Sequence, residues 1–88
     1  IWIGNRIRVG THYDAKENVA CCVAGQRRFT TFPPDQIAGL YPGPFELTPA
    51  GVPVSMVDPA APDLDKFPLF AEAARHAEVA TLEPGDAI

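Results

Sequence analysis

A chain of 88 residues makes at most one small domain, and 47% hydrophobic against 20% charged residues excludes a disordered one. A net charge of −4 argues against nucleic-acid binding by bulk electrostatics. There is no apolar run of about 18 residues or more and no basic-then-apolar leader, so no membrane or secretory signal is read and a cytoplasmic setting is expected. Ten prolines and seven glycines, spread along the chain, suit short strands and turns better than long helices. Both ends are apolar, Ile1-Trp2-Ile3 and Asp86-Ala87-Ile88. Each is expected to be a strand rather than a frayed tail, as in a piece of a longer protein.

Trp2 to Val9 alternates in part and predicts a strand, bent at Gly10-Thr11. His12-Tyr13-Asp14 follows, then the polar loop Ala15-Lys16-Glu17. Asn18 to Ala24 is a nearly continuous run of small and β-branched residues and predicts a buried strand. Gly25-Gln26 is a turn signal, Arg27 to Phe32 the next strand, and the two runs together predict a hairpin that Pro33-Pro34 stops. Asp35 to Leu40 predicts one helical turn, with Pro34 and Asp35 at its start. Tyr41-Pro42-Gly43-Pro44 is a turn or extended loop, and residues 45–63 an irregular excursion with a short strand at Val54-Ser55-Met56-Val57.

Phe67, Phe70, Ala71 and Ala74 then fall on one helical face, with Pro68 in the first turn and Arg75-His76 at the C-terminal end. Glu78 to Leu82 predicts a last strand, and Glu83-Pro84-Gly85-Asp86 a tight turn. The fold class is therefore mainly β. A complete jelly roll needs more strands than these, so they suit part of one with a short helical insertion. Phe29, Phe32, Tyr41, Phe67 and Phe70 are expected in the core. Cys21 and Cys22 are neighbours on a strand, where alternation points them to opposite faces. They are read as small residues in a reducing compartment rather than as a metal pair or a disulfide.

The triplet His12-Tyr13-Asp14 carries the most chemistry. At strand spacing the imidazole and the carboxylate share a face. A second, distant imidazole would complete a two-histidine, one-carboxylate facial triad, which leaves positions on iron open for cosubstrate and oxygen. Alone, this spacing is also met by a surface histidine beside a turn.

The stretch HYDAKENVACCVAGQRRFTTFPP, followed by LYPGP and LEPGDA, resembles the cupin-like JmjC hydroxylases. These are Fe(II)- and 2-oxoglutarate-dependent oxygenases that include the asparaginyl hydroxylase of the hypoxia-inducible transcription factor and bacterial relatives. The shared features run in order along residues 1–88. The resemblance implies a partial double-stranded β-helix, the front portion of a single JmjC/cupin-like domain truncated before its third metal ligand. It implies that His12 and Asp14 bind Fe(II), with a histidine beyond the Pro84-Gly85-Asp86 turn as the third ligand. Asn18 matches an asparagine lining the cosubstrate pocket. Arg27 stands where the family usually has a lysine that holds the far carboxylate of 2-oxoglutarate, a role a guanidinium fork also fills. A solvated strand charge and a turn residue remain the plainer readings of Arg27 and Asn18. Val9 stands where some relatives carry a threonine that bonds the cosubstrate. His76 is not promoted to a ligand, because it ends a surface helix.

The implied reaction is hydroxylation of a C–H bond on a protein side chain or a small molecule, by the full-length parent and not by residues 1–88 alone. Demethylation of N-methyl-lysine at the same site is the alternative, and a non-catalytic cupin-like binding module lacking a complete metal site is the alternative of another class. No nucleic-acid or membrane partner is expected. A homodimer would form through regions outside these residues.

Overall fold

The computed structural model describes residues 1–44 and 51–88. Strand β1 (Arg27–Thr31) pairs antiparallel with β2 (Glu78–Leu82), placing Arg27 opposite Leu82, Phe29 opposite Ala80 and Thr31 opposite Glu78. Both segments are rich in β-branched and aromatic residues, and the proline pair Pro33-Pro34, which cannot continue the ladder, ends β1. Alternation makes one face of the ribbon the inner one. Leu82 is buried and Arg27, Phe29 and Ala80 are half-buried, while Arg28, Thr30, Val79 and Thr81 are exposed.

The ribbon continues beyond the named strands. Ala20 and Ile88 exchange backbone hydrogen bonds of 2.8 and 3.0 Å, Cys21 bridges to Ala87, and Cys22 N–H donates to Asp86 O at 2.8 Å. From Cys21 to Arg27 is six steps, but from Ala87 back to Leu82 only five, so one extra residue is accommodated as a bulge. Gly25 and Gly85 lie at φ 72° and 100°, a region open to glycine at no steric cost, and both sit at this break. Gly85 N–H donates to Cys22 O at 2.9 Å. Cys22 is buried within the break and Cys21 is exposed, which is the opposite-face placement expected of the pair.

The predicted hairpin between residues 18–24 and 27–32 is thus incorrect. The two runs follow one another along the same partner, residues 78–88. Gly25 is left-handed but Gln26 is not, so the pair lacks the two positive φ values of a type I′ turn and shifts the strand instead of reversing it.

The core lies inside the long connection between β1 and β2. Val57, Phe67, Phe70 and Ala73 form its centre, with Phe32, Leu40 and Tyr41 packed against them. A 3-10 helix, Pro34–Leu40, begins directly after β1 with proline at its first position and Asp35 in its first turn. It lies against the short helix α1 (Phe70–Arg75). The two meet at Gly39, where a Cβ would come within 2.9 Å of both the Ala73 Cβ and the Leu69 carbonyl oxygen. Tyr41 leaves the 3-10 helix at φ 46°, and its hydroxyl accepts a 3.0 Å hydrogen bond from Leu69 N–H just before α1. Phe67 meets Tyr41 edge-on at 5.0 Å between centroids, and Phe70 meets Phe32 at 6.1 Å.

The buried face of this region is Phe67, Phe70 and Ala73, whereas Ala71 and Ala74, expected inside, are exposed. The reason is the hydrogen-bond pattern. Phe70, Ala71 and Glu72 donate to the carbonyls of Phe67, Pro68 and Leu69, three residues back, so the segment enters as a 3-10 turn in which every third residue is eclipsed.

The Val54-Ser55 stretch forms single bridges on both sides, to His12 and to Pro42. The strand predicted at Trp2 to Val9 does not form, and Ile1, Trp2, Ile3, Ile7 and Val9 are exposed. Among the described residues β1–β2 is the one ladder longer than a bridge, so the β character stands but no closed jelly roll is built. The expected excursion over 45–63 lies partly outside the described residues. No helix among them is long and apolar enough to cross a membrane.

These contacts predict that Gly39→Ala lowers the unfolding free energy by about 1–3 kcal/mol, because backbone and a buried methyl must both shift. Ala71→Leu, on the exposed face, is expected to stay within about 0.5 kcal/mol. Denaturant titration of both variants checks this, and a larger loss in Ala71→Leu would restore the sequence-based face.

Candidate metal and cosubstrate site

His12 is positioned by pairing across the chain. It bridges to Val54, and Ser55 N–H donates to Thr11 O at 2.8 Å. Gly10 permits this approach, since a Cβ there would lie 2.8 Å from Val54 Cγ1. The Nδ1 of His12 lies 2.7 Å from the Gly10 carbonyl oxygen. A carbonyl only accepts, so Nδ1 carries the proton and Nε2 of the neutral ring keeps its lone pair. The backbone thereby selects the tautomer that a metal ligand needs and fixes the ring's orientation.

Asp14 follows two residues later, and both side chains are exposed. Its Oδ2 accepts a 2.6 Å hydrogen bond from Asn18 Nδ2, spanning the polar loop. A donor on a carboxylate makes a charge-assisted bond, stronger than a neutral one. His12, Asp14 and Asn18 therefore occupy one short segment in which two local hydrogen bonds orient the two donors of the expected metal pair. Tyr13 between them is also exposed, so this segment is not embedded in a sheet.

Arg27 sits elsewhere, at the start of β1 on the inner face of the ribbon. Its NH2 reaches the Trp2 carbonyl at 3.5 Å, at the outer limit of a hydrogen bond. Arg28 faces outward and is exposed. Val9 is exposed as well. His76 caps α1, with Nε2 3.0 Å from Glu72 Oε1 of its own helix, so it is engaged as a surface residue. Among the described residues no three His, Cys, Asp or Glu side chains are grouped to hold a metal. Two shallow clefts, one along Thr31, Phe32, Pro33, His76 and Glu78 and one around Pro59, Pro62 and Phe70, include none of the expected site residues.

Sequence reasoning treated Gly10 only as a bend and missed its carbonyl as the partner of His12. A glycine two residues before the histidine was the signal available. It also missed Val54 and Ser55 as the support of the His12 segment, for which no local signal exists.

With this geometry in place, comparison with known proteins defines the class. The cupin-like domain family matches residues 1–88, and the chain belongs to that family. It is 37% identical over 82 residues to the tRNA wybutosine-synthesizing protein 5 of Mus musculus, covering 93% of this chain and 23% of that protein. It is 31% identical over 81 residues to the lysine-specific demethylase JMJ31 of Arabidopsis thaliana, covering 92% and 14%. It is 35% identical over 90 aligned positions to the HSPB1-associated protein 1 of Homo sapiens, covering 100% and 18%. The chain thus spans less than a quarter of the length of each of these relatives. The cupin-like membership expected from the motifs at residues 12–34, 40–44 and 82–87 is borne out.

Proposed function

We propose that residues 1–88 are the front portion of a JmjC-type, cupin-like jelly roll in an Fe(II)- and 2-oxoglutarate-dependent dioxygenase. The reaction is hydroxylation of a C–H bond on a protein side chain or a small molecule. The observation that carries this is the His12–Asp14 pair, with Nδ1 of the imidazole tied to the Gly10 carbonyl and the carboxylate held by Asn18. An imidazole with a free Nε2 and an ionised carboxylate are a donor set that suits Fe(II). A histidine outside these residues is the third ligand. Bound iron would supply the site at which 2-oxoglutarate and oxygen react.

The chain's own residues then have separate tasks. His12 and Asp14 hold the metal while leaving its other positions open. Arg27, on the inner face of β1, pairs with the far carboxylate of 2-oxoglutarate and orients it. Among the described residues its guanidinium meets the Trp2 carbonyl at 3.5 Å, a weak contact that an anion would replace to advantage. Two free thiols, Cys21 and Cys22, suit a reducing, cytoplasmic setting. Residues 1–88 alone are expected to be inactive. Similarity to a protein named as a lysine-specific demethylase favours one second reading, in which the same site hydroxylates an N-methyl group of lysine. The matched relatives' names point to different substrates, so the proposal stops at the reaction class.

In the full-length protein, His12→Ala and Asp14→Ala should each abolish iron binding and 2-oxoglutarate turnover, because losing one ligand of three leaves too few for a labile divalent ion. Metal analysis and succinate release measure this. Near-normal iron content in either variant would remove the facial triad. Arg27→Ala should raise the KM for 2-oxoglutarate by about 100-fold with iron content unchanged. Breaking a buried charge pair costs about 3–5 kcal/mol, discounted here for partial exposure, at about 1.4 kcal/mol per tenfold. Arg28→Ala is the control and should leave the cosubstrate KM near its starting value. The reverse outcome for the two arginines would shift the strand register by one, and no effect from either would place the cosubstrate elsewhere.

A further inference from the structure

We infer that Asn18 is a positioning residue that restricts Asp14 to a single metal-facing oxygen. The inference rests on the metal reading above and gives Asn18 a task other than contact with the cosubstrate. Its basis is the 2.6 Å bond from Asn18 Nδ2 to Asp14 Oδ2. An amide N–H on one carboxylate oxygen has two consequences. It holds the carboxylate plane against rotation, and it occupies one of the two lone pairs that Oδ2 would otherwise offer to a cation.

The choice of one oxygen matters for the chemistry. A facial triad works by leaving positions free for a chelating cosubstrate and for oxygen. A carboxylate binding through both oxygens would take one of those positions. With one lone pair of Oδ2 engaged by Asn18, Oδ1 is the less encumbered of the two oxygens. Asp14 lies on an exposed segment with no sheet on both sides to fix its side chain, so its orientation depends on such a local bond more than it would in a packed core. On the opposite donor, Gly10 does the equivalent task for His12 through its carbonyl. The two ligands are therefore each oriented by a group within four residues in the chain, while His12 is also placed by its bridge to Val54.

The test uses the full-length protein with Co(II) as an air-stable stand-in for Fe(II). Co(II) affinity is measured by calorimetry, and its visible absorption reports the coordination number. Asn18→Ala should weaken Co(II) by about 10–100-fold, the usual loss when an outer hydrogen-bond partner of a ligand is removed. It should also change the Co(II) spectrum as the carboxylate is freed. Asn18→Gln, which keeps an amide donor, should recover part of the affinity. Unchanged Co(II) affinity in Asn18→Ala overturns the assignment, and if 2-oxoglutarate binding falls in that case Asn18 is a cosubstrate contact. A loss that Asn18→Gln leaves wholly unrecovered also overturns it, because it marks packing rather than hydrogen bonding. Asp14→Ala run alongside separates the two levels. If it too retains Co(II), the metal reading itself has failed, whereas loss there with none in Asn18→Ala defeats only the positioning role.

Discussion

The antiparallel pairing of residues 20–31 with residues 78–88 is the constraint on which the rest of the structure depends. It joins parts of the chain that are far apart, so residues 32–77 are closed into one long loop before any of these hydrogen bonds can form. Closure entropy of that kind grows slowly with length, and is offset here by backbone bonds running the length of the ribbon and by the core enclosed in the loop. Phe32, one residue past β1, packs on Phe70 at the start of α1, and α1 leads straight into β2. The ends of the loop are thus brought together twice, by backbone and by aromatic contact. The bulge at Gly25 and Gly85 lets the ribbon change register, with Gly85 N–H donating to Cys22 O across it, and Cys22 is buried there.

A second and smaller set of pairings carries the core's order to the candidate site. Tyr41 is anchored on Phe67 and on the Leu69 amide. Its carbonyl accepts from Met56 N–H at 2.9 Å, and the Ser55 hydroxyl donates to the Leu40 carbonyl at 2.5 Å. Ser55 N–H in turn holds Thr11, next to His12. In these hydrogen bonds Thr11, Ser55 and Met56 all lie outside the named strands and helices. His12 is therefore placed by an otherwise irregular stretch whose position the aromatic core decides. The ion pair of Arg8 with Asp58 at 3.3 Å lies along the same two segments, but both side chains are mostly exposed and such a pair adds little.

The site combines two kinds of support. Gly10 and Asn18 orient His12 and Asp14 through groups two and four residues away in the chain. Arg27 depends on the ribbon, which turns it inward and its neighbour Arg28 outward. The relatives matched carry different names, for tRNA wybutosine synthesis, lysine demethylation and association with HSPB1.

What the sequence determined by itself was local. Strand Glu78–Leu82, the turn Glu83–Asp86, the strand opening at Arg27, the helical turn after Pro33-Pro34 and the opposed faces of Cys21 and Cys22 were all legible, because side-chain alternation, proline and glycine act within a few residues. Ordered motifs around His12 and Asp14 extended the reading to a family. The tertiary structure decided the partners. Residues 20–22 pair with 86–88 and not with their neighbours, the buried face of α1 and the turn before it is Phe67, Phe70 and Ala73, and Val54-Ser55 supports His12. Periodicity assumed an α-helix where a 3-10 turn forms, and adjacency assumed a hairpin where a bulge forms. The bulge depends on which distant backbone groups pair, and the turn on the packing of Phe67 and Phe70 in the core, and both are decided only once the chain is folded.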